Sequence, residues 1–195
     1  VPPFLKDSDQ GWVTAEYSML PRATGTRSPR DVSRLKLSPR SAEIQRLIGR
    51  ALRSVCDLTR MPGISVIVDC DVLQADGGTR TASVTGGYIA LWHAMEGLVR
   101  SGRIRVNPIR CQVAAISAGS VDGVPLLDLC YEEDSAAEAD FNVVLSSDGG
   151  IVEIQGTGEK RPFTKTEMDR MMAMAARGIR RLFAVQKKFT EGAAK

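Results

Sequence analysis

The residues most suited to chemistry are a glycine, a hydroxyl and a guanidinium in succession: Gly78, Thr79 and Arg80. A Gly-Gly pair ending at Gly78 breaks the chain after strand-like residues 64–68, which predict a buried strand. Apolar residues then recur at helical spacing over 81–99, so the three residues are predicted to lie at a helix N-terminus. Free backbone N–H groups and the helix dipole favour an anion at such a position, and phosphate is the anion we expect.

Two interpretations of this segment stay open. It is a phosphate-binding loop, or it is an ordinary strand-to-helix turn that ends in an exposed arginine. It is not a Walker loop, because the GxxxxGK[ST] order is absent.

An acidic run, YEEDSAAEAD at 131–140, contains Asp134 and Asp140 and is predicted to lie between two strands. Such a run is usually a solvated loop. The small residues at 135–137, however, would allow a ligand or a partner chain to approach closely. From the residues alone, both interpretations remain.

Basic residues crowd into the segment 22–40: Arg22, Arg27, Arg30, Arg34, Lys36 and Arg40. Three prolines interrupt it, which predicts an irregular loop. The loop could bind RNA phosphates, or it could form a subunit interface with acidic partners, and the two roles can coexist. The only histidine, His93, falls within a predicted helix, so neither a Ser-His-Asp triad nor a His/Cys metal site is expected.

The remaining patterns predict a mixed α/β (α+β) domain rather than a doubly wound sheet. Helices are predicted at 43–58, 81–99 and 164–189, the last with a capping box of Thr164 and Glu167. Strands are predicted at 112–118 and 124–131, with a turn at 121–123, and a second hairpin pairs 141–146 with 151–155.

Composition adds only broad limits. The net charge of +3 is too small to argue for nucleic acid by itself, and no run approaches the ~18 apolar residues that a membrane helix needs. Four cysteines without CxxC spacing favour reduced thiols in a cytoplasmic protein over zinc or a disulfide framework. We therefore expect no membrane partner.

Five motifs carry a family resemblance along most of the chain: GWVTAEYSMLPRATGTR (11–27), EIQRLIGRALRSVCDL (43–58), DCDVLQADGGTRTASVTG (69–86), YEEDSAAEADFNVV (131–144) and EIQGTGE (153–159). In this order they resemble bacterial ribonuclease PH. The resemblance implies a ribosomal-protein-S5-like βαβα fold with hairpins and a long C-terminal helix. It also implies a phosphate-dependent 3′-to-5′ exoribonuclease that trims the 3′ ends of tRNA precursors and other RNAs.

Residue roles follow from the resemblance where the motifs match. Arg40, Gly78, Thr79 and Arg80 would bind inorganic phosphate, the co-substrate. Asp134 and Asp140 would coordinate Mg²⁺ and assist catalysis as an acid, because carboxylate oxygens suit a hard cation that offsets phosphodiester charge. The arginines of 22–30 would contact RNA or a neighbouring subunit.

Other consequences of the resemblance concern assembly and extent. It implies a homo-oligomer, a hexameric ring built as a trimer of dimers. Residues 1–195 would form a single ribonuclease PH domain lacking the N-terminal strands of the family, which would leave a sheet edge unprotected. The chain departs from the family in the loop before Arg40, which reads Leu-Ser-Pro, and at Gly25, where a histidine is common. A non-catalytic, exosome-type RNA-binding ring subunit is the alternative function.

Overall fold

The computed structural model describes residue 2 and residues 8–30 and 36–191. These residues form an α+β architecture. Its elements, in chain order, are β1 (Trp12–Met19), α1 (Pro39–Ser54), β2 (Ser65–Val72), α2 (Thr79–Arg100), β3 (Val113–Val121), β4 (Val124–Leu127), α3 (Tyr131–Ala136), β5 (Ala139–Ser146), β6 (Ile151–Gly158) and α4 (Lys165–Thr190). Arg34 of the basic segment lies outside the described residues.

The first half of the chain has the βαβα order that the resemblance implies. β1 and β2 are parallel neighbours, paired in register from Trp12 with Ser65 to Met19 with Val72. Alternate residues of β1, beginning with Val13, are buried and pack with the apolar faces of α1 and α2 in one core. No helix of the described part of the chain covers the other face of this two-stranded sheet, and Ile67 is 56% exposed on it.

The second half forms an antiparallel sheet in the order β4-β3-β5-β6. β3 is buried on both faces because each face meets helices. Val113, Ala115 and Val144 belong to the core with α1 and α2, whereas Ile116 and Val143 belong to a second core with α4. The layers therefore run from the first sheet through α1 and α2 to the second sheet and then α4.

The predicted fold class, the two hairpins and the long C-terminal helix are confirmed. The turn at 121–123 places Asp122 and Gly123 at φ of 51° and 74°. Thr164 and Glu167 form the capping box of α4. Among the described residues, no helix has both the length and the apolar composition needed to cross a membrane.

Other predictions about individual elements were wrong. β1 was not predicted, and β2 is not a buried strand but is half exposed. α1 begins at Pro39, because the Ser38 hydroxyl accepts a hydrogen bond from the Ser41 N–H and caps the helix, and it ends at Ser54. The predicted strand 124–131 ends at Leu127, since Asp128 adopts a positive φ of 61° that breaks the extended backbone.

Candidate active site

The ends of β1 and β2 bring two chain segments together. Because the strands are parallel and in register, both end at the same edge of the sheet. There the Leu20 N–H donates to the Val72 carbonyl at 3.0 Å, and the Ala75 N–H donates to the Ala23 carbonyl at 2.7 Å. The start of the arginine-rich segment is therefore hydrogen-bonded to the segment that leads to Gly78.

Gly78 is the residue that starts α2. It has φ 69° and ψ 20°, a left-handed conformation that glycine adopts without strain, and no side chain caps the helix. The first turn contains Thr79 and Arg80 and no acidic residue. The predicted position of these three residues at a helix N-terminus is confirmed, and the uncapped N–H groups there are suited to an anion.

Arg80 is held by residues from two other elements. Its Nη1 donates to Glu43 Oε1 of α1 at 2.9 Å and to Gln155 Oε1 of β6 at 3.1 Å. Gln155 Nε2 also donates to Glu43 Oε1 at 3.2 Å, which closes a three-residue network. The Arg80 side chain is 19% exposed, so its guanidinium is oriented yet still accessible to a ligand.

Thr79 is oriented from the first sheet. The buried Tyr17 of β1 places its hydroxyl 2.8 Å from Thr79 Oγ1, across 62 residues of sequence. Either oxygen can be the donor. Because an aromatic ring in a packed core has few accessible rotamers, this contact restricts where the threonine hydroxyl lies.

The loop before α2 is fixed against the segment that leads to α3. Asp76 Oδ1 accepts from the Tyr131 N–H at 2.6 Å and from the Gly77 N–H at 3.0 Å. Gly77 lies so close to this segment that an added Cβ would be 1.9 Å from the Leu129 carbonyl oxygen. The glycine loop and the start of α3 therefore form one packed unit.

The acidic run is not simply a solvated loop. Residues 131–136 form the short helix α3, in which Asp134 is exposed, and Asp140 follows on β5. Asp140 faces α1 and α2, because its neighbours Ala139 and Phe141 face α4. Burial, and then the charges of Asp134 and Glu159, raise the pKa of Asp140, whereas the nearby Arg80 opposes the shift.

These carboxylates fit a divalent cation. Asp140 Oδ1 is buried and has no hydrogen-bond partner among the described residues, and it lies near a second carboxylate, Asp134. Described residues contain no group of three or more His, Cys, Asp and Glu side chains arranged for a metal. Two carboxylates suit Mg²⁺, which keeps several waters and shares its remaining ligands with substrate phosphates.

Arg40 lies in the first turn of α1 rather than in a loop before the helix. It is exposed, and no contact of its guanidinium is found within the described part of the chain. Glu43 follows three residues later on the same face of α1, so Arg40 points toward the side of the helix that meets Arg80. The structure thus brings Arg40 to the neighbourhood of the site without fixing its side chain.

Arg22, Arg27 and Arg30 of the basic segment are exposed. Arg22 Nη1 is 3.5 Å from the Gly25 carbonyl, at the limit of a hydrogen bond. Arg27 and Arg30 line a 380 Å³ cleft with two prolines. No described residue forms an ion pair with any of the three arginines, so their predicted role at RNA or at an interface stays a prediction.

A larger cavity lies beside the site. It measures 490 Å³ and runs between β2 and α2, where Gly77 and Thr79 contribute to its wall. Neither Arg80 nor the two aspartates line it. The candidate residues therefore lie on the surface around the start of α2, and this cavity is adjacent to them.

Two models of one known family match the chain. Residues 1–95 match the 3′ exoribonuclease family, domain 1 (RNase_PH), and residues 111–178 match domain 2 of the same family (RNase_PH_C). Together the two matches cover most of the chain. The protein belongs to the 3′ exoribonuclease family.

Solved structures with the same fold include family members from a plant and an archaeon. The chain is similar to rice (Oryza sativa) Rrp46, with a TM-score of 0.68 and 17% identity over 96% of this chain and 75% of that one. It is also similar to the Archaeoglobus fulgidus exosome with RNA bound to the active site, with a TM-score of 0.72 and 22% identity over 89% and 70%. At these identities the likeness establishes the fold alone.

In this 3′ exoribonuclease family chain, residue patterns predicted candidate ligand-binding groups but missed the residues that position them. Tyr17, Glu43, Asp76 and Gln155 were not predicted as site residues. Each lies within one of the five motifs that carry the resemblance, which is the signal that could have found them. The contacts described above span 37 to 112 residues of sequence, with the exception of the Asp76–Gly77 bond.

Proposed function

We propose that this chain is a phosphate-dependent 3′-to-5′ exoribonuclease of the ribonuclease PH type, which removes nucleotides from the 3′ ends of tRNA precursors and other RNAs. The observation that carries the proposal is the placement of Arg80. Arg80 lies in the first turn of α2 beside uncapped N–H groups, is oriented by Glu43 and Gln155, and is close enough to Asp140 to oppose the rise in the pKa of that carboxyl.

Inorganic phosphate would bind at the start of α2. The N–H groups after Gly78, the Thr79 hydroxyl and the free nitrogens of Arg80 supply donors, and a guanidinium matches phosphate oxygens in a bidentate geometry. Arg40 would add a second positive charge from α1. Since Tyr17, Glu43 and Gln155 already hold these groups, little reorganisation accompanies binding.

In the reaction, an oxygen of the bound phosphate forms a bond to the last phosphorus of the RNA, and the bond from that phosphorus to the 3′ oxygen of the preceding nucleotide breaks. The departing 3′ oxygen takes a proton. Asp140 would donate it, and in the metal-free chain burial and neighbouring carboxylates raise the pKa of Asp140. The products are a nucleoside diphosphate and an RNA one nucleotide shorter.

Mg²⁺ would be held by Asp134 and Asp140, and it would supply charge neutralisation on the phosphodiester. We further propose that the chain works in a homo-oligomeric, hexameric ring in the cytoplasm, consistent with the exposed arginines of 22–30 and the free cysteines.

Product analysis tests the proposal. A short RNA with a free 3′ end is incubated with the protein and Mg²⁺, with and without inorganic phosphate. Nucleoside diphosphates that form only with phosphate are expected. Nucleoside monophosphates formed without phosphate would mean hydrolysis, and bound RNA without products would mean a non-catalytic ring subunit.

A further inference from the structure

A second basic region, distinct from the site, lies on the outer face of α4. The helix carries seven Lys and Arg residues against Glu167 and Asp169, a formal charge of +5. Because the whole chain carries +3, the rest of the chain carries −2. α4 therefore carries as much positive charge as the basic segment 22–40, and the small net charge of the chain conceals it.

The distribution within α4 is also uneven. From Arg170 to Thr190 the helix contains no acidic residue, and its six basic side chains there are all exposed. They are Arg170, Arg177, Arg180, Arg181, Lys187 and Lys188. None of the six forms an ion pair with a described residue, whereas Lys165, in the first turn, pairs with Asp169.

Helical geometry aligns four of these charges. Arg170, Arg177, Arg181 and Lys188 fall within about 20° of a single line along the helix, at 3.6 residues per turn. The line is about 27 Å long, at 1.5 Å per residue. We refer to these four residues and the flanking Arg180 and Lys187 as the basic face of α4.

The opposite side of the helix fixes this face toward solvent. Met171, Ala175 and Ile179 are buried against the second sheet. Gln186 is fully buried, and its Nε2 donates to the Thr85 carbonyl at 3.0 Å and to the Val113 carbonyl at 2.9 Å. Rotation of α4 would break these bonds, so the basic face cannot turn inward.

We propose that the basic face of α4 binds the phosphate backbone of RNA at a distance from the reacting 3′ end. An extended row of uncompensated cations matches a polyanion, and such binding is independent of sequence. A lipid surface fits less well, because the apolar face that an interfacial helix would insert is already packed against the sheet. The inference rests on the proposed function only in taking RNA as the substrate.

The test compares two triple variants with the same change in charge. Arg177→Gln, Arg181→Gln and Lys188→Gln neutralise the basic face. Arg100→Gln, Arg103→Gln and Arg105→Gln neutralise three exposed arginines at and after the end of α2. Affinity is measured by fluorescence anisotropy without inorganic phosphate, on single-stranded RNAs of about 4 and about 20 nucleotides.

The α4 triple variant should bind the longer RNA at least about tenfold more weakly at low salt. The plot of the logarithm of the association constant against the logarithm of the salt concentration should become less steep, its slope decreasing in magnitude by about 2. The shorter RNA and the control variant should change little. Equal losses in both variants, or none in the α4 variant, would overturn the inference. So would loss of binding to anionic vesicles, or of self-association in sedimentation, with RNA affinity unchanged.

Phosphorolysis of the shorter RNA separates this inference from the proposed function. The α4 triple variant should degrade it at the rate of the original protein. If that RNA is never degraded but the longer RNA binds through α4, the proposed reaction fails and the inference stands.

Discussion

Arg80 and the arginines of α4 differ in how firmly the rest of the protein holds their charged groups. Arg80 is 19% exposed and is bound by Glu43 and Gln155 from two other elements. The arginines on the basic face of α4 are exposed and lack ion pairs with described residues. The guanidinium of Arg80 is therefore held in one orientation by its partners, whereas no ion pair with a described residue holds the arginines of α4.

This difference teaches what each region can contribute. A fixed guanidinium next to a carboxylate of raised pKa can stabilise charge at one point, which is what a reaction requires. Freely rotating guanidinium groups attract a polyanion without selecting a geometry. Substitutions should therefore affect turnover in the first region and salt-dependent affinity in the second.

The largest effect is expected at Arg80 itself. Arg80→Ala should lower phosphate-dependent turnover about 10²-fold or more, because one preorganised charged donor is lost, and should leave RNA affinity mostly intact. Arg80→Lys should recover little, since an ammonium cannot reproduce the guanidinium contacts to Glu43, Gln155 and phosphate together. Initial rates and anisotropy on the same RNA measure both quantities.

Arg103→Ala is the control for that substitution, because Arg103 is exposed just beyond α2. Its turnover should match that of the original protein. An Arg80→Ala protein that loses RNA affinity but keeps its phosphate KM would contradict the phosphate assignment.

A second test concerns the packing that fixes the glycine loop. Gly77→Ala should reduce turnover about tenfold or more, because its Cβ would meet the Leu129 carbonyl oxygen and displace the loop from α3. Gly86→Ala is a matched control on α2, since nothing lies within 4 Å of an added Cβ there. Removing a helical glycine should raise stability by roughly 0.8–1.0 kcal/mol.

Thermal unfolding and turnover measured together decide this test. Gly77→Ala should lower both quantities, whereas Gly86→Ala should raise the melting temperature and keep turnover. Full turnover in Gly77→Ala would show that the close approach to Leu129 is not required for the reaction.

A smaller effect should come from Glu43. Glu43→Ala removes the acceptor that orients Arg80, so kcat/KM for phosphate should fall about fivefold, as expected when a hydrogen bond with a net contribution of about 1 kcal/mol is lost. Glu43→Gln keeps an oxygen acceptor and removes a negative charge near the anion, so it should restore most of the activity. If the Gln variant is as impaired as the Ala variant, the charge of Glu43 matters rather than its acceptor geometry.

The last prediction is a pH-dependent change in stability at Asp140. The pKa of Asp140 lies above the ordinary value of 3.8, so the folded state binds the carboxyl proton more tightly than the unfolded state does. The free energy of unfolding therefore falls as the pH rises from the ordinary pKa through the raised pKa of the folded state. Asp140→Asn removes the charged form. The variant should therefore be inactive yet melt at a higher temperature than the original protein at pH 7.

Melting curves recorded in EDTA by circular dichroism measure this effect, because bound cations would otherwise stabilise the original protein. The difference in melting temperature should shrink as the pH is lowered toward the ordinary range of an aspartate. A variant less stable than the original protein at pH 7 would contradict the pKa direction.

Features carried by local sequence were predicted well. Gly78 and the periodicity after it located the start of α2, and Thr164 with Glu167 located the start of α4, because caps depend on residues a few positions apart. Which face of α2 is buried was predicted less well. Ala82 is exposed and Val84 is buried, since α2 packs against several elements and has no single apolar stripe.

Features set by distant contacts were not predicted. The short helix α3 lies in a strongly acidic segment, and Asp76, 55 residues earlier, accepts the N–H of its first residue. The orientation of Arg80 likewise depends on Gln155, which is 75 residues away. Neither contact has a local signature, so a pattern of residue types could place the reactive groups but not their supports.

The most direct test of the central claim, that phosphate is the nucleophile, is to supply inorganic phosphate labelled with ¹⁸O and to analyse the released nucleotides by mass spectrometry. The proposed reaction predicts nucleoside diphosphates whose terminal phosphate and bridging oxygen are fully labelled, and Arg80→Ala should abolish them. Unlabelled nucleoside monophosphates would mean that water attacks the RNA, and would contradict the assignment of the start of α2 as a phosphate site.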